Sequence, residues 1–293
     1  MKIAIYGRSF NKSFYDSIKL LFETLSNKEA DIYIYYDFYC FVKENMSYEP
    51  KVSGFFRKDD NLDDSFDFLF SIGGDGTFLE SIIFIRNKNI PVVGINSGTL
   101  GFLADISKSE ISSALESLFN KEYSLCARTL LELKSNKNLF GVFNYALNEI
   151  TLHKRDTSSM IIIHTYLDNK LMNSYRADGI IVSTPTGSTA YSMSVGGPIV
   201  TPDANNIIIA PIAPHNLSVR PLVIPDNISI KLEVEGSEIN YLASLDSRSA
   251  EFDSDAEFII RKANFTLKTI VFANKSFYST LRSKLMWGYD SRN

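Results

Sequence analysis

The chain has 293 residues, of which 45% are hydrophobic and 22% charged, and its formal net charge is −4. This composition is typical of a soluble globular protein of one large or two smaller domains. The acidic balance disfavours a general nucleic-acid binder, which would carry a basic surface. The longest apolar runs are too short to span a bilayer, and the first residues lack a signal-peptide pattern. We therefore expect a cytoplasmic protein without a membrane or nucleic-acid partner.

Residues 1–125 predict an α/β domain, because strand and helix patterns alternate along them. The predicted strands are 2–7, 31–35, 66–72 and 91–95, the predicted helices are 14–25, 78–86 and 107–119, and residues 45–64 are predicted to form a mobile loop. Such alternation indicates a parallel sheet with helices on its faces. Binding turns in sheets of this kind lie at the carboxyl ends of the strands.

Two glycine-bearing turns follow predicted strand ends in this domain. Gly73-Gly74-Asp75-Gly76-Thr77 joins a strand to a helix, and residues 96–102 follow the next strand. Backbone N–H groups at such a turn, together with the positive end of a helix, favour a phosphate. Asp75 is the carboxylate among the glycines, and we take it as the candidate for chemistry. The plain alternative is an ordinary turn with an acidic cap.

Residues 126–272 predict a β-rich second domain. Its predicted strands are 130–134, 140–143, 161–167, 179–183, 206–209, 228–234, 239–243, 256–261 and 265–272, with a hairpin turn at 168–170. One helix interrupts them, beginning near Thr186 to Ser188. Successive short strands favour a β-sandwich. Residues 276–287 predict a final helix.

A second segment suited to a phosphate or another strongly polar ligand runs from Ser183 to Ser192. Pro185 fixes the turn, Gly187 frees the backbone, and hydroxyl groups stand at the start of the helix. Tyr191 adds a flat face with a polar tip, which suits a base or a ribose. The alternative is an ordinary capped helix.

Two polar groups interrupt apolar surroundings in the second domain. Asn148 and Glu149 lie in a strand-like run, and Arg176-Ala177-Asp178-Gly179 precedes a buried strand. A carboxamide beside a carboxylate can read the edge of a purine or hold a pair of ribose hydroxyls. The alternatives are a hairpin edge for Asn148 and Glu149, and a surface salt bridge for Arg176 and Asp178.

Together these segments resemble the NAD kinase family. They are Gly73–Thr77, Asn96–Phe102 (NSGTLGF), Asn148-Glu149, Arg176–Gly179 and Thr184–Tyr191 (TPTGSTAY), in the family's order. Diacylglycerol kinases, sphingosine kinases and phosphofructokinases carry related forms of GGDGT, so TPTGSTAY with NE and RADG is the more specific signal. The resemblance covers nearly the whole chain. It implies a phosphofructokinase/Rossmann-like first domain at 1–125, a β-sandwich at 126–272, and a cleft between them as the site. It further implies that 273–293 packs back on the first domain, and that the assembly is a homodimer or homotetramer.

The reaction that this resemblance implies is transfer of the γ-phosphoryl of ATP to the 2′-hydroxyl of the adenosine ribose of NAD, giving NADP and ADP. Asp75 matches the general base, since a carboxylate within reach can accept the hydroxyl proton. Mg²⁺ carried by ATP and the backbone of Gly73, Gly74, Gly76 and Thr77 would neutralise the phosphates. The alternative role of Asp75 is to orient the metal.

By the same resemblance, Asn148 and Glu149 hold the ribose of NAD, Asp178 lies at the nicotinamide end, and Arg176 reaches the site of a neighbouring subunit. The other positions that it implies contact NAD are Asp75, Gly76, Phe102, Ser159, Thr189, Ala190, Tyr191, Ser192, Met193, Ser194, Ala213 and Arg248. Arg248 stands where many members have glutamine. Its guanidinium would either pair with a phosphate or point to solvent.

Two other functions use parts of the same pattern. A lipid kinase of the diacylglycerol or sphingosine type shares GGDGT, but it has no need of TPTGSTAY, and the balanced charge argues against a membrane-facing surface. A non-catalytic NAD-binding regulatory module would keep the pocket without the chemistry. The retention of Asp75 in an intact glycine turn argues against that module.

Overall fold

The computed structural model describes residues 1–98, 101–155, 160–236, 241–273 and 275–286. The chain forms two compact units. Unit 1 contains residues 1–127 and the segment from Leu267 onward, and unit 2 contains Arg128–Thr266. The backbone leaves unit 1 within strand β6 (Tyr123–Ser135) and returns within the last strand. Among the described helices, none is long and apolar enough to cross a membrane.

Unit 1 is built on a parallel sheet. Its strands are β1 (Lys2–Gly7), β2 (Asp31–Tyr35), β3 (Gly54–Phe56), β4 (Phe68–Gly73) and β5 (Val92–Asn96), in the spatial order β5-β4-β1-β2-β3. Every neighbouring pair in this order is parallel. All residues of β4 and of β5 are buried, as expected for strands covered by helices on both faces. The predicted parallel α/β architecture is therefore confirmed.

The helices are α1 (Tyr15–Asn27), α2 (Tyr36–Met46), α3 (Asp75–Ile85), α4 (Ile111–Phe119), α5 (Tyr191–Ser194) and α6 (Phe277–Leu285). Only α5, a single turn, belongs to unit 2. Helix α1 buries Ile18, Leu21, Phe22 and Leu25, four of the five apolar residues that predict it, whereas the fifth, Leu20, is exposed. Ser107 and Glu110 form a capping box on the 3₁₀ turn that leads into α4, so of the two caps that the sequence predicts here, Ser107 or Ser109, Ser107 is the one present.

The predicted loop at 45–64 is wrong in two places. Helix α2 ends at Met46, inside that range, and β3 pairs with β2 through Tyr33–Tyr35. Only Phe38 and Val42 of α2 are buried, and other aromatic residues on its remaining faces hide that spacing. Strand β3 has three residues, too few to show an alternation.

Unit 2 contains two antiparallel sheets. Its further strands are β7 (Tyr145–Ala146), β8 (Glu149–Lys154), β9 (Ile161–Leu167), β10 (Lys170–Ala177), β11 (Gly179–Ser183), β12 (Asn206–Ile212), β13 (Leu222–Pro225), β14 (Ile230–Glu235), β15 (Tyr241–Leu245), β16 (Arg248–Phe252) and β17 (Glu257–Phe272). One sheet has the order β13-β12-β11-β8-β15-β16, and the other contains β10-β9-β14-β17. A single apolar core takes side chains from both sheets, including Leu152 and Val182 of the first and Ile163 and Leu232 of the second.

The structure corrects the strand predictions of unit 2 at two places. Residues 140–143 form turns rather than a strand; Gly141 has a φ of +62° and Val142 is 76% exposed. The two strands predicted at 256–261 and 265–272 are one continuous strand, β17. A ladder depends on backbone hydrogen bonds, so the polar residues between the two apolar runs do not end it.

Candidate active site

Asp75 lies at the point where β4 ends and α3 begins. Gly74 precedes the helix in an extended conformation, and Asp75 is the first helical residue. A Cβ atom added at Gly74 or Gly76 would meet nothing within 4 Å, whereas one at Gly73 would collide with the side chain of Thr77. Gly73 thus permits close packing, and the other two glycines leave open space beside the first N–H groups of the helix. An exposed helix N-terminus of this kind favours an anion.

The second glycine turn holds the Asp75 carboxylate. Oδ2 accepts a hydrogen bond from the N–H of Phe102 at 2.8 Å, and Oδ1 accepts from Leu103 and Ala104, both at 2.9 Å. A Cβ atom at Gly101 would collide with the same carboxylate. The two glycine turns, which follow separate strands in the sequence, therefore meet at one side chain.

These bonds leave one acceptor position on Asp75. A carboxylate offers about four lone-pair positions, two on each oxygen. Among the described residues, Oδ1 uses both of its positions and Oδ2 uses one. The Nζ of Lys284, on α6, lies 3.7 Å from Oδ2, which is an ion-pair distance rather than a hydrogen bond. Sequence reasoning did not select Lys284, because its helix carries no glycine turn or polar motif.

In unit 2, Asp246 organises the segment that contains Asn148 and Glu149. Its carboxylate accepts hydrogen bonds from the N–H groups of Leu147 and Asn148, both at 2.8 Å, and of Glu149 at 3.2 Å. Burial raises the pKa of Asp246, although these bonds and the charge of Arg248 oppose the rise. Asn148 itself stands just before β8 rather than inside a strand. Asp246 was missed because it stands almost 100 positions further along the chain.

The TPTG turn holds the same segment from the other side. The N–H of Thr184 donates to the carbonyl of Asn148 at 2.9 Å, and the Thr184 hydroxyl donates to the carbonyl of Leu147 at 2.6 Å. A Cβ atom at Gly187 would collide with the Asn148 carbonyl. Gly187 is therefore required for this close packing, and the two motifs of the sequence form one rigid assembly.

Glu149 has a buried carboxylate oxygen, Oε2, without a hydrogen-bond partner among the described residues. Burial, with a smaller contribution from the charge of Asp246, raises the pKa of Glu149 to about 8, while a hydrogen bond from the backbone of Tyr191 opposes the rise. Buried polar atoms are nearly always hydrogen-bonded, so this oxygen is available to a polar group of a ligand or to water.

The predicted positions from Thr189 to Ser194 form one short continuous stretch. A 3₁₀ turn over Thr186–Thr189 leads through Ala190 into α5. Tyr191 begins α5 with 44% of its surface exposed, so its ring is available to a ligand. The hydroxyl of Ser192, by contrast, is buried and lacks a partner among the described residues.

Asp178 and Ala213 lie at the same end of two paired strands. The N–H of Asp178 donates to the carbonyl of Ile212 at 2.9 Å, which places Asp178 next to Ala213. Ala213 has a φ of +44°, a conformation that costs a residue with a Cβ about 1 kcal/mol. The carboxylate of Asp178 pairs with Lys154 at 2.6 Å. A salt bridge was the alternative for Asp178, and its partner is Lys154 rather than Arg176, which is exposed on β10.

Arg248 departs from one of the two expectations for it, that its guanidinium points to solvent. Its guanidinium donates hydrogen bonds to the backbone carbonyls of Phe143 and Tyr145 and lies 4.9 Å from the centroid of the Phe143 ring. It therefore does not point to solvent, and these bonds engage two of its five N–H donors. Arg248 therefore supports the backbone at Phe143 and Tyr145. Ser159, another predicted position, lies outside the described residues.

Comparisons with known proteins agree across the whole chain. The sequence profile of the ATP-NAD kinase N-terminal domain matches residues 12–123, and that of the ATP-NAD kinase C-terminal domain matches residues 147–272. The chain is 48% identical over 295 residues to the NAD kinases of Christiangramia forsetii and of Flavobacterium psychrophilum, with 100% of each chain covered.

Solved structures share the fold. Yeast NADH kinase, crystallised with NADH, superposes with a TM-score of 0.85 at 22% identity, covering 99% of this chain and 88% of that one. An NAD kinase from Archaeoglobus fulgidus in complex with ATP gives a TM-score of 0.73 at 25% identity, covering 98% and 99%.

Proposed function

This chain belongs to the NAD kinase family and phosphorylates NAD with ATP as the donor, and we propose that Asp75 is the general base of that reaction. The acceptor is the 2′-hydroxyl of the adenosine ribose, and the products are NADP and ADP. The observation that carries the proposal is the state of the Asp75 carboxylate. It is fixed by three backbone N–H groups, retains one acceptor position on Oδ2, and stands at an open helix N-terminus.

The geometry accounts for the proton transfer. A ribose hydroxyl that donates to Oδ2 takes the remaining acceptor position, and its proton passes to Asp75 as its oxygen attacks the γ-phosphorus. The three backbone bonds hold the carboxylate in one orientation, so little reorganisation accompanies the step. General-base catalysis by a positioned carboxylate is worth about 10²–10⁴-fold.

The phosphates of ATP would bind the turn through the backbone of Gly73, Gly74, Gly76 and Thr77. Because Gly74 and Gly76 leave open space, phosphate oxygens can approach their N–H groups closely. Mg²⁺ would arrive on ATP, since the described residues contain no group of three or more metal-ligating side chains. Mg²⁺ commonly uses one or two carboxylates together with substrate phosphates, and in its alternative role Asp75 would give the metal the acceptor position that the ribose hydroxyl otherwise takes. The metal would neutralise charge on the phosphates.

NAD would be held mainly by unit 2. The unpartnered Oε2 of Glu149 suits a ribose hydroxyl, and the exposed ring of Tyr191 suits the adenine or its ribose. The further positions that we propose contact NAD are Gly76, Phe102, Asn148, Ser159, Arg176, Asp178, Thr189, Ala190, Ser192, Met193, Ser194 and Ala213. Arg248 instead supports the backbone of Phe143 and Tyr145.

Three further features of the protein, namely the fold of unit 2, its assembly and its location, are proposed together with this function. The common core of the two sheets in unit 2 supports a β-sandwich. The family resemblance supports a homodimer or homotetramer, which light scattering after size exclusion would distinguish. It also supports a cytoplasmic location.

An acceptor panel tests the proposed function. Purified protein receives ATP and Mg²⁺ with NAD, with an NAD analogue lacking the adenosine 2′-hydroxyl, or with diacylglycerol. NADP is detected by a dehydrogenase that requires the 2′-phosphate, and release of ADP reports phosphorylation of the other acceptors. We expect a phosphorylated product only in the reaction whose acceptor is NAD. That product should no longer form once EDTA has removed the metal. Phosphorylation of the lipid or of the 2′-deoxy analogue would contradict the assignment, and complete inactivity with NAD would favour the non-catalytic module.

A further inference from the structure

Lys284 is a charged residue beside Asp75 that the family resemblance did not select. Its Nζ lies 3.7 Å from Oδ2 of Asp75 and 4.9 Å from the centroid of the Phe102 ring. Phe102 is also the residue whose N–H donates to Oδ2. The ammonium group is therefore on the side of the carboxylate that retains an acceptor position.

Two anchors within unit 1 hold the helix that carries Lys284. Before α6, Lys275 pairs with Glu110 at 2.6 Å and donates to the carbonyl of Asp105 at 2.9 Å. At the start of α6, the ring of Phe277 packs on Phe102 with centroids 6.3 Å apart. Phe277 and Lys284 are seven residues apart, so they lie on one face of the helix two turns from each other. The same face thus meets Phe102 twice, which places the ammonium group beside Asp75.

The ion pair itself contributes little to stability. The side chains of Lys284 and Asp75 are 30% and 28% exposed, and their atoms are beyond hydrogen-bond distance. Partly exposed pairs of this kind contribute about 0–1 kcal/mol. The separation nevertheless leaves the ammonium protons free to bind oxygen atoms of a ligand that approaches Oδ2.

The reaction needs positive charge at this point. The attacking hydroxyl and the γ-phosphoryl group must meet beside Oδ2 of Asp75, and the phosphoryl oxygens carry negative charge throughout the transfer. The glycine turn supplies N–H groups and no side-chain cation. Among the described residues, Lys284 is the ion-pair partner that Asp75 has.

We propose that Lys284 binds the non-bridging oxygens of the phosphoryl group as it is transferred, and so helps catalyse the reaction of Asp75; this inference rests on the proposed role of Asp75. In the step, the 2′-hydroxyl proton moves to Oδ2 of Asp75 and the O–P bond forms. The bond from the γ-phosphorus to the bridging oxygen breaks, and its electron pair leaves with ADP. Lys284 donates hydrogen bonds and keeps its three protons.

The test compares Lys284→Met and Lys284→Arg with Arg282→Met. Arg282 is an exposed cation in the last turn of the same helix, so its loss has the same effect on the helix dipole. Steady-state assays give kcat and the KM for NAD and ATP. Calorimetry measures binding of adenosine 5′-(β,γ-imido)triphosphate with Mg²⁺, and thermal unfolding reports the fold.

We expect Lys284→Met to lower kcat by about 10²-fold, the usual loss for one donor to a developing anion. The KM for NAD should stay near the wild-type value, Lys284→Arg should retain more activity than Lys284→Met, and Arg282→Met should match the wild type. A kcat for Lys284→Met within threefold of the wild-type value would overturn the proposal. If Lys284→Met does not fold, Lys284→Gln replaces it, judged by the same kcat limit.

Asp75→Asn, measured in parallel, separates this proposal from the proposed function. If Asp75→Asn loses turnover and Lys284→Met keeps it, only the role of Lys284 is wrong. If Asp75→Asn keeps turnover, the base is wrong; a loss in Lys284→Met would then still support its contact with the phosphoryl group.

Discussion

Glu149 links the buried half of the site to a measurable dependence of stability on pH. Its pKa rises from 4.5 to about 8 on folding, chiefly because the carboxyl is buried. Between these values the unfolded chain carries an ionised Glu149 and the folded protein does not. The stability that the neutral carboxyl provides is therefore complete below pH 4.5 and is lost as the pH rises through about 8.

Replacement of Glu149 by glutamine removes this dependence while keeping the size of the side chain. Each pH unit within that range changes the free energy of unfolding by about 1.4 kcal/mol for one proton. From pH 5.5 to 7.5, wild type should thus lose about 2.5 kcal/mol that Glu149→Gln retains, because Glu149 begins to ionise in the folded protein near the upper limit. As the pH rises, Glu149→Gln should become progressively more stable than wild type. We expect it to bind NAD more weakly.

Urea unfolding of the ligand-free proteins at several pH values measures the difference. Glu251→Gln is the matched control, because Glu251 lies in the same sheet and its side chain is 51% exposed. The difference in free energy of unfolding between Glu251→Gln and wild type should stay constant across the pH range. If the curves of Glu149→Gln and wild type run parallel, Glu149 is not held neutral by burial, and the reasoning about its unpartnered oxygen fails.

Three further substitutions, one of them with a matched control, test the site and its support. Gly101→Ala should displace Asp75 and lower kcat by about 10²-fold, whereas Gly98→Ala, whose Cβ would meet nothing within 4 Å, should leave it unchanged in the same assay. Tyr191→Ala should raise the KM for NAD by about threefold to tenfold with a smaller change in kcat, and an unchanged KM would remove Tyr191 from the pocket. Arg248→Met should destabilise the protein by about 1–3 kcal/mol in urea, because two partly buried carbonyls lose their donors, while the KM for NAD stays unchanged. A raised KM for NAD would instead support a contact between Arg248 and a phosphate of NAD.

The sequence predicted the features that depend on neighbouring residues. Parallel strands, α1 and the cap at Ser107 follow from local spacing and hydrogen bonding, and all three are present. The turn at Gly73–Thr77 was recognisable for the same reason. Local patterns failed where backbone hydrogen bonding, rather than the side-chain pattern, sets the length of a strand. An example is β17, which continues through Asn264.

The support around the site could not be predicted, because it joins distant parts of the chain. Asp75 is held by residues 102–104 and stands beside Lys284, and Glu149 is positioned by Asp246. A sequence pattern shows that each residue is polar but not which distant backbone it meets. Gly101 and Gly187 carried the strongest available signal, since each is required where a second motif packs closely.

The central claim is that Asp75 accepts the proton of the ribose hydroxyl. Single-turnover mixing, with enzyme in excess over NAD and with saturating ATP and Mg²⁺, measures NADP formation in wild type and in Asp75→Asn, while calorimetry measures NAD affinity. We predict a rate lower by about 10²–10⁴-fold in Asp75→Asn, with NAD affinity within threefold of wild type. A single-turnover rate near the wild-type value would contradict the account.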